Sequence, residues 1–239
     1  MKYTKYSMLR DLRTLGITSF QWNDTPLRKD VQSRMAGSVA KGEDAGRAEV
    51  LEYCWTLYEG ALNGDGDQLI GRQKDLGELR TNFYRSISGL GSVANARGVP
   101  MSTNFDSNTH ANLQQMDKWA KVCNDAWIIG GVHRGAIFRL ASPLIIENLW
   151  NKNGYFVVTA REIIGLMHFG YTLEQVGPWQ CMVPKSPVKS QIADLVIYDK
   201  LIKRRETLAQ AVELCGTPGM DSNAKAAAQV NAFHQRHAR

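Results

Sequence analysis

The stretch from Thr159 to Gly177, TAREIIGLMHFGYTLEQVG, decides how the chain is read. Thr159 suits a helix N-cap, and Glu162 three residues on completes the capping-box pattern, in which each side chain satisfies the other's backbone N–H. Ile163, Leu166 and Met167 repeat at helical spacing and form one apolar face. Gly170 supplies a sharp turn, where a positive φ carries no steric cost for glycine. Tyr171 and Thr172 lead into a second short segment with Leu173 and Val176, which Gly177 and Pro178 close. The pattern predicts helix, glycine turn, helix, loosely a helix-turn-helix.

The run Ala160 to Val176, AREIIGLMHFGYTLEQV, resembles the helix–Gly–aromatic–Thr–Leu–Glu stretch that follows the wing in MerR-type regulators. The likeness covers 17 of 239 residues, and it implies a DNA-reading element at this point. MerR-type proteins carry their reading head at the N-terminus, and no such pattern precedes Thr159 here. Pro178 stops the second segment after about one and a half helical turns. A recognition helix needs several exposed polar or basic residues, and this one offers Thr172 and Gln175, with Arg161 on the helix before.

Outward from that stretch, the chain reads as a string of helices. Lys5 to Leu15 is basic and amphipathic, with Met8, Leu9 and Leu12 on one side. Thr25-Pro26 starts a helix running to about Ala40, with Thr as N-cap and Pro at the first helical position. In Asp44 to Leu62, Val50, Cys54, Leu57, Tyr58 and Ala61 recur at helical spacing. Gly64 to Asp67 interrupts, and Gln68 to Leu90 is expected to return as the antiparallel partner of a helical hairpin. Residues 91–109 are polar and low in periodicity, a long loop or linker. Asn112 to Ile129 is helical and expected to end at Gly130-Gly131. His133 to Leu140 fits strand or helix, Pro143 to Trp150 a short helix, and Tyr155 to Val158 a short strand. Ser186-Pro187 opens the longest helix, to about Cys215, and Asn223 to His234 forms the last. The fold class expected is mainly α: a multi-helix orthogonal bundle with at most one or two short β-strands. Its organisation would be an N-terminal helical subdomain (1–90), the 91–109 linker, and a C-terminal helical subdomain (110–239).

The net charge of +6 is unevenly spread. Residues 1–47 carry nine Lys/Arg against five Asp/Glu, and 48–80 carry three against seven. Basic ends favour polyanionic partners, because each phosphate neutralised releases counterions. Segregated acidic and basic regions also suit head-to-tail pairing of copies. Cys54, Cys123, Cys181 and Cys215 are far apart, with no CxxC pair of the zinc-ribbon kind. Met1 to Leu15 is too charged to serve as a secretory leader, and no apolar run approaches the ~20 residues that span a bilayer. The expectation is a cytoplasmic protein with reduced thiols and no membrane partner.

Candidate sites follow from the charge. Lys200, Lys203, Arg204 and Arg205 cluster past the middle of the long helix, spaced to track phosphates. Lys5, Arg10 and Arg13 support them from the N-terminus, and Arg161 is the basic residue of the opening stretch. The glycine-rich run from Gly130 to Gly135 lacks the Lys-Ser/Thr of a P-loop. Cys54-Trp55 sits on an apolar helical stripe, where a cysteine packs as a small hydrophobe. His110, His133 and His168 have no ligand spacing between them, and the pair His234 and His237, three apart, finds no further ligands, so no catalytic residue, metal or cofactor is assigned. The function expected is non-enzymatic binding of DNA or RNA, by a basic helical surface that contacts phosphates. The alternatives are a self-assembling structural subunit, such as a helical viral coat or nucleocapsid protein, and a small enzyme or effector with a Cys/His site assembled by the fold.

Overall fold

The computed structural model describes residues 2–17, 43–64, 67–71, 119–150, 157–177 and 179–203. Within them the elements are α1 (Lys5–Thr14), α2 (Glu43–Leu62), β1 (Gln68–Ile70), α3 (Trp119–Arg134), β2 (Phe138–Leu140), α4 (Ile146–Leu149), α5 (Val158–His168), β3 (Tyr171–Val176), β4 (Trp179–Pro184), α6 (Pro187–Gln191) and α7 (Leu195–Lys203). The strands form one mixed sheet in the order β1-β2-β4-β3. β1 and β2 are parallel, with Gln68 opposite Phe138, while β4 runs antiparallel to both β2 and β3.

Helix α3 is central among the described residues. Val122, Cys123, Ala126, Trp127, Ile128, Ile129 and Val132 are all buried on it, and a helix apolar over most of its circumference belongs inside. α2 lies against it through the stripe Val50, Tyr53, Cys54, Leu57, Tyr58 and Ala61. The two helices approach closely because α3 presents glycine: a Cβ on Gly130 would stand 2.3 Å from the Tyr58 carbonyl oxygen. The sheet meets α3 through Phe138, whose ring contacts Trp127 at 6.4 Å and Tyr171 at 5.5 Å, both edge to face. Phe138 is fully buried, a position where truncation to alanine costs about 3–5 kcal/mol.

α1 is bounded as its sequence requires. The Thr4 hydroxyl accepts from the Ser7 N–H at 3.2 Å, and the Ser7 hydroxyl accepts from the Thr4 N–H at 3.3 Å. Gly16, at φ +69°, ends it with the paired bonds Gly16 N–H to Arg13 O and Ile17 N–H to Leu12 O. That is a Schellman cap. Met8 and Leu12 enter the core, and Leu9 stays half-exposed.

The four-stranded sheet overturns the expected mainly-α bundle with at most one or two strands, and with it the all-α description. The reason is partly length. β1 and β2 are three residues each and buried throughout, so they show no period-2 alternation to read. Gln68 to Ile70 starts a strand where a helix was expected; the residues from 72 onward lie outside the described set. The opening stretch is half right. α5 forms, and Gly170 turns the chain at φ +84°, but Tyr171 to Val176 is strand β3. Gly177-Pro178 does not truncate a helix. Val176 pairs with Trp179 across β3 and β4, and Gly177, at φ +60°, follows β3. The helix-turn-helix reading is therefore withdrawn. So is the capping box: α5 has Val157 as N-cap without a side-chain bond, and Glu162 instead accepts from Asn124 of α3.

Three further expectations change. Gly130-Gly131 lies inside α3, and Gly135 ends that helix with a second Schellman cap, its N–H on Val132 O and that of Ala136 on Gly131 O. The long helix from Ser186 is two helices, α6 and α7, separated by Ile192 to Asp194. Val158 begins α5 rather than ending a strand. The 25–40 helix, the 91–109 linker and the helix at 223–234 lie outside the described residues.

Candidate nucleic-acid interface

Helices α1 (Lys5–Thr14) and α7 (Leu195–Lys203) pack directly on one another, so two basic segments far apart in the sequence are neighbours. On α1 the one acidic residue is Asp11, and its fate governs the local charge. It is 1% exposed. Its Oδ2 accepts from the Tyr3 hydroxyl at 2.8 Å, and its Oδ1 accepts from Arg10 Nε and Nη2 at 3.3 and 3.1 Å. The Arg10 side chain remains 64% exposed beside it. Asp194 is a second acid near this junction, and it too is occupied: its Oδ1 accepts from the Ile197 N–H at 2.6 Å, capping α7. Burial holds the Asp194 carboxyl above its usual range, with the N–H bonds to Ile197 and Val196 opposing.

The solvent face of α1 is then cationic and aromatic. Arg10 and Arg13 are exposed, and Tyr6 stands 76% exposed one turn before Arg10. Lys5 is half-exposed and ion-paired with Glu52 of α2. On α7, Lys200 is exposed and Lys203 is the last helical residue. Arg204 and Arg205 lie outside the described residues. Arg161 is elsewhere: it is 5% exposed on α5, and its Nη2 lies 3.3 Å from Asp125 Oδ2 of α3. A guanidinium held there is not offered to a polymer in solution, and Arg161 leaves the candidate set.

Sequence reading missed Tyr6. The signal was present, since Tyr6, Arg10 and Arg13 fall at i, i+4 and i+7, on the side turned away from Met8 and Leu12.

Two other constellations border this region. A cleft of about 330 Å³ is lined by Lys2, Tyr3, Tyr58, Leu62, His133 and Gln191. His133 Nε2 is 3.0 Å from Ala193 O, which only accepts, so Nε2 carries the proton and Nδ1 accepts from the Tyr58 hydroxyl at 3.0 Å. Burial lowers its pKa. Both ring nitrogens are thus engaged in tying α2 and α3 to the segment before α7, a strut rather than a poised base. The thiols of Cys54 and Cys123 lie 3.8 Å apart and fully buried between α2 and α3, and burial pushes the Cys123 thiol well up. A thiol in that state is a poor nucleophile.

Among the described residues, no group of three His, Cys, Asp or Glu side chains is placed to hold a metal ion, and no helix is long and apolar enough to cross a membrane. No protein-family model, no curated protein and no solved structure matches this chain.

Proposed function

We propose that this protein binds nucleic acid through the basic surface of α1 and α7, contacting phosphates without a base-reading motif. The observation that carries this reading is the packing of α1 on α7 with Arg13 and Lys200 exposed, the one acid of α1, Asp11, being buried in an ion pair with Arg10. Arg10, Arg13 and Lys200 are the contacts, with Lys5 in support and Lys203, Arg204 and Arg205 continuing the cationic run in sequence. Such contacts are electrostatic, so affinity falls with salt at a slope of about 0.7–0.9 per phosphate neutralised.

The test is fluorescence anisotropy with a labelled 20-mer between 50 and 300 mM salt, using the wild type and the single variants Arg13→Gln and Lys200→Gln. Each substitution is expected to weaken binding and to reduce the salt slope by about one. Binding that does not change with salt, or the absence of binding at 50 mM, refutes the reading.

Self-association is a second reading. What favours it is the pair Val188 and Ile192, one turn apart at α6 and 74% and 57% exposed, an apolar pair of the kind that subunit contacts cover.

A further inference from the structure

We infer that the stripe Tyr6–Arg10–Arg13 takes a single-stranded polynucleotide, with Tyr6 as the platform on which a base stacks. This rests on the basic-surface reading above and narrows it to a substrate class. Tyr6 is the most exposed large hydrophobic side chain among the described residues, at 76%. An aromatic ring left in water on a helix that buries Met8 and Leu12 completely has no role in packing that helix.

The neighbours give the ring its meaning. Arg10 and Arg13 stand one and two turns on along the same face, and the stripe spans about 10 Å at 1.5 Å per residue. That is about three nucleotides stacked at ~3.4 Å each. A cationic track with an aromatic interleaved is the arrangement that holds single strands: charges follow the backbone and the ring stacks on whichever base arrives. A duplex hides its base faces within its own stack, so a ring at Tyr6 gains nothing from it. The exposed positions of α1, namely Tyr6, Arg10, Arg13 and Thr14, include no Asn or Gln to read the edge of an adenine. Recognition is assigned to strand and charge, with Arg10 and Arg13, which could also read a guanine edge, placed on the backbone.

The experiment uses the full chain and three labelled probes at 50 mM salt: oligo-uridylate, oligo-thymidylate, and a DNA duplex of the same length. The variants are Tyr6→Ala, Tyr6→Phe and the pair Arg10→Gln/Arg13→Gln, each checked by circular dichroism for an unchanged fold. Wild type is expected to prefer the single strands to the duplex. Tyr6→Ala should weaken single-strand binding about tenfold, leave the weaker duplex binding unchanged, and be rescued by Tyr6→Phe, which keeps the ring. A preference for uridylate assigns RNA as the source of the strand, and a preference for thymidylate assigns DNA. If the arginine pair abolishes binding while Tyr6→Ala matches wild type, or if the duplex binds as tightly as the strands, the stacking inference is wrong and the basic surface survives. If none of the probes binds, or the arginine pair changes nothing, the basic surface itself is refuted.

Discussion

Replacing Gly165 by alanine would set a Cβ 2.2 Å from Cε2 and 2.7 Å from Cζ of Tyr198. To reach an ordinary contact of 3.4 Å the ring must retreat by about 1.2 Å. It has nowhere to go. Tyr198 is fully buried, stacked on Phe169 with centroids 6.0 Å apart, and its hydroxyl donates to Arg161 O at 3.2 Å. Forced overpacking of this kind costs about 1–3 kcal/mol, and a lost hydrogen bond adds about 1 kcal/mol. Against this, alanine gains about 1 kcal/mol over glycine inside a helix. The net expectation for Gly165→Ala is a destabilisation of about 1–3 kcal/mol, read as a lower urea midpoint in circular dichroism with an unchanged m-value. In a Tyr198→Ala background the ring is gone and only helix propensity remains, so the same substitution should stabilise by up to about 1 kcal/mol. The sign change is the diagnostic. Stabilisation by Gly165→Ala in the wild-type background would show that α5 and α7 do not meet on this glycine.

Burial among Asn124, Asp125, Arg161 and Tyr198 pushes Glu162 up to about 8, with the Asn124 bond opposing. A carboxyl that holds its proton more tightly when folded contributes stability that is intact below its unfolded pKa of about 4.5 and is lost as pH rises through about 8. Glu162→Gln should therefore flatten the loss of stability between pH 5 and 8. The difference is on the order of a few kcal/mol at 1.36 per unit, and urea midpoints at pH 5, 6.5 and 8 measure it; parallel profiles for variant and wild type would reject a buried carboxyl here. If Val188 and Ile192 join copies of the chain, light scattering after size exclusion should give a mass that rises with concentration in wild type and not in Val188→Asp. A concentration-independent monomer mass in wild type removes the self-association reading.

How much of this was legible differs by element. α1 and α2 were readable because their contacts are local in pattern. Met8 with Leu12, and Val50, Cys54, Leu57, Tyr58 and Ala61, recur every three or four residues, and a period of 3.6 is a property of one segment alone. The cap at Thr4 and the positive-φ end at Gly16 are likewise set within a few bonds. Basic character at the two ends could be counted directly.

Tertiary structure decided the rest, because strands are made by partners. Gln68 to Ile70 is extended through its pairing with Phe138 to Leu140, which lies about 70 residues away. Tyr171 to Val176 carries residues that suit either state, and the six pairs with β4 select the strand. The same glycine signal meant different things in different surroundings: Gly130 and Gly131 read as a helix end and serve as the close approach of α2, β1 and β2 to α3. Arg161 read as a surface cation and is buried against Asp125. Asp11, one of the five acidic residues counted in 1–47, is buried, bonded to Tyr3 and ion-paired with Arg10. Sequence by itself determined which segments could be amphipathic helices and where positive charge was available, since both are sums over neighbouring residues. Which charges face water, and which helices share a face, depends on contacts between residues remote in the chain, and only the folded arrangement contains them.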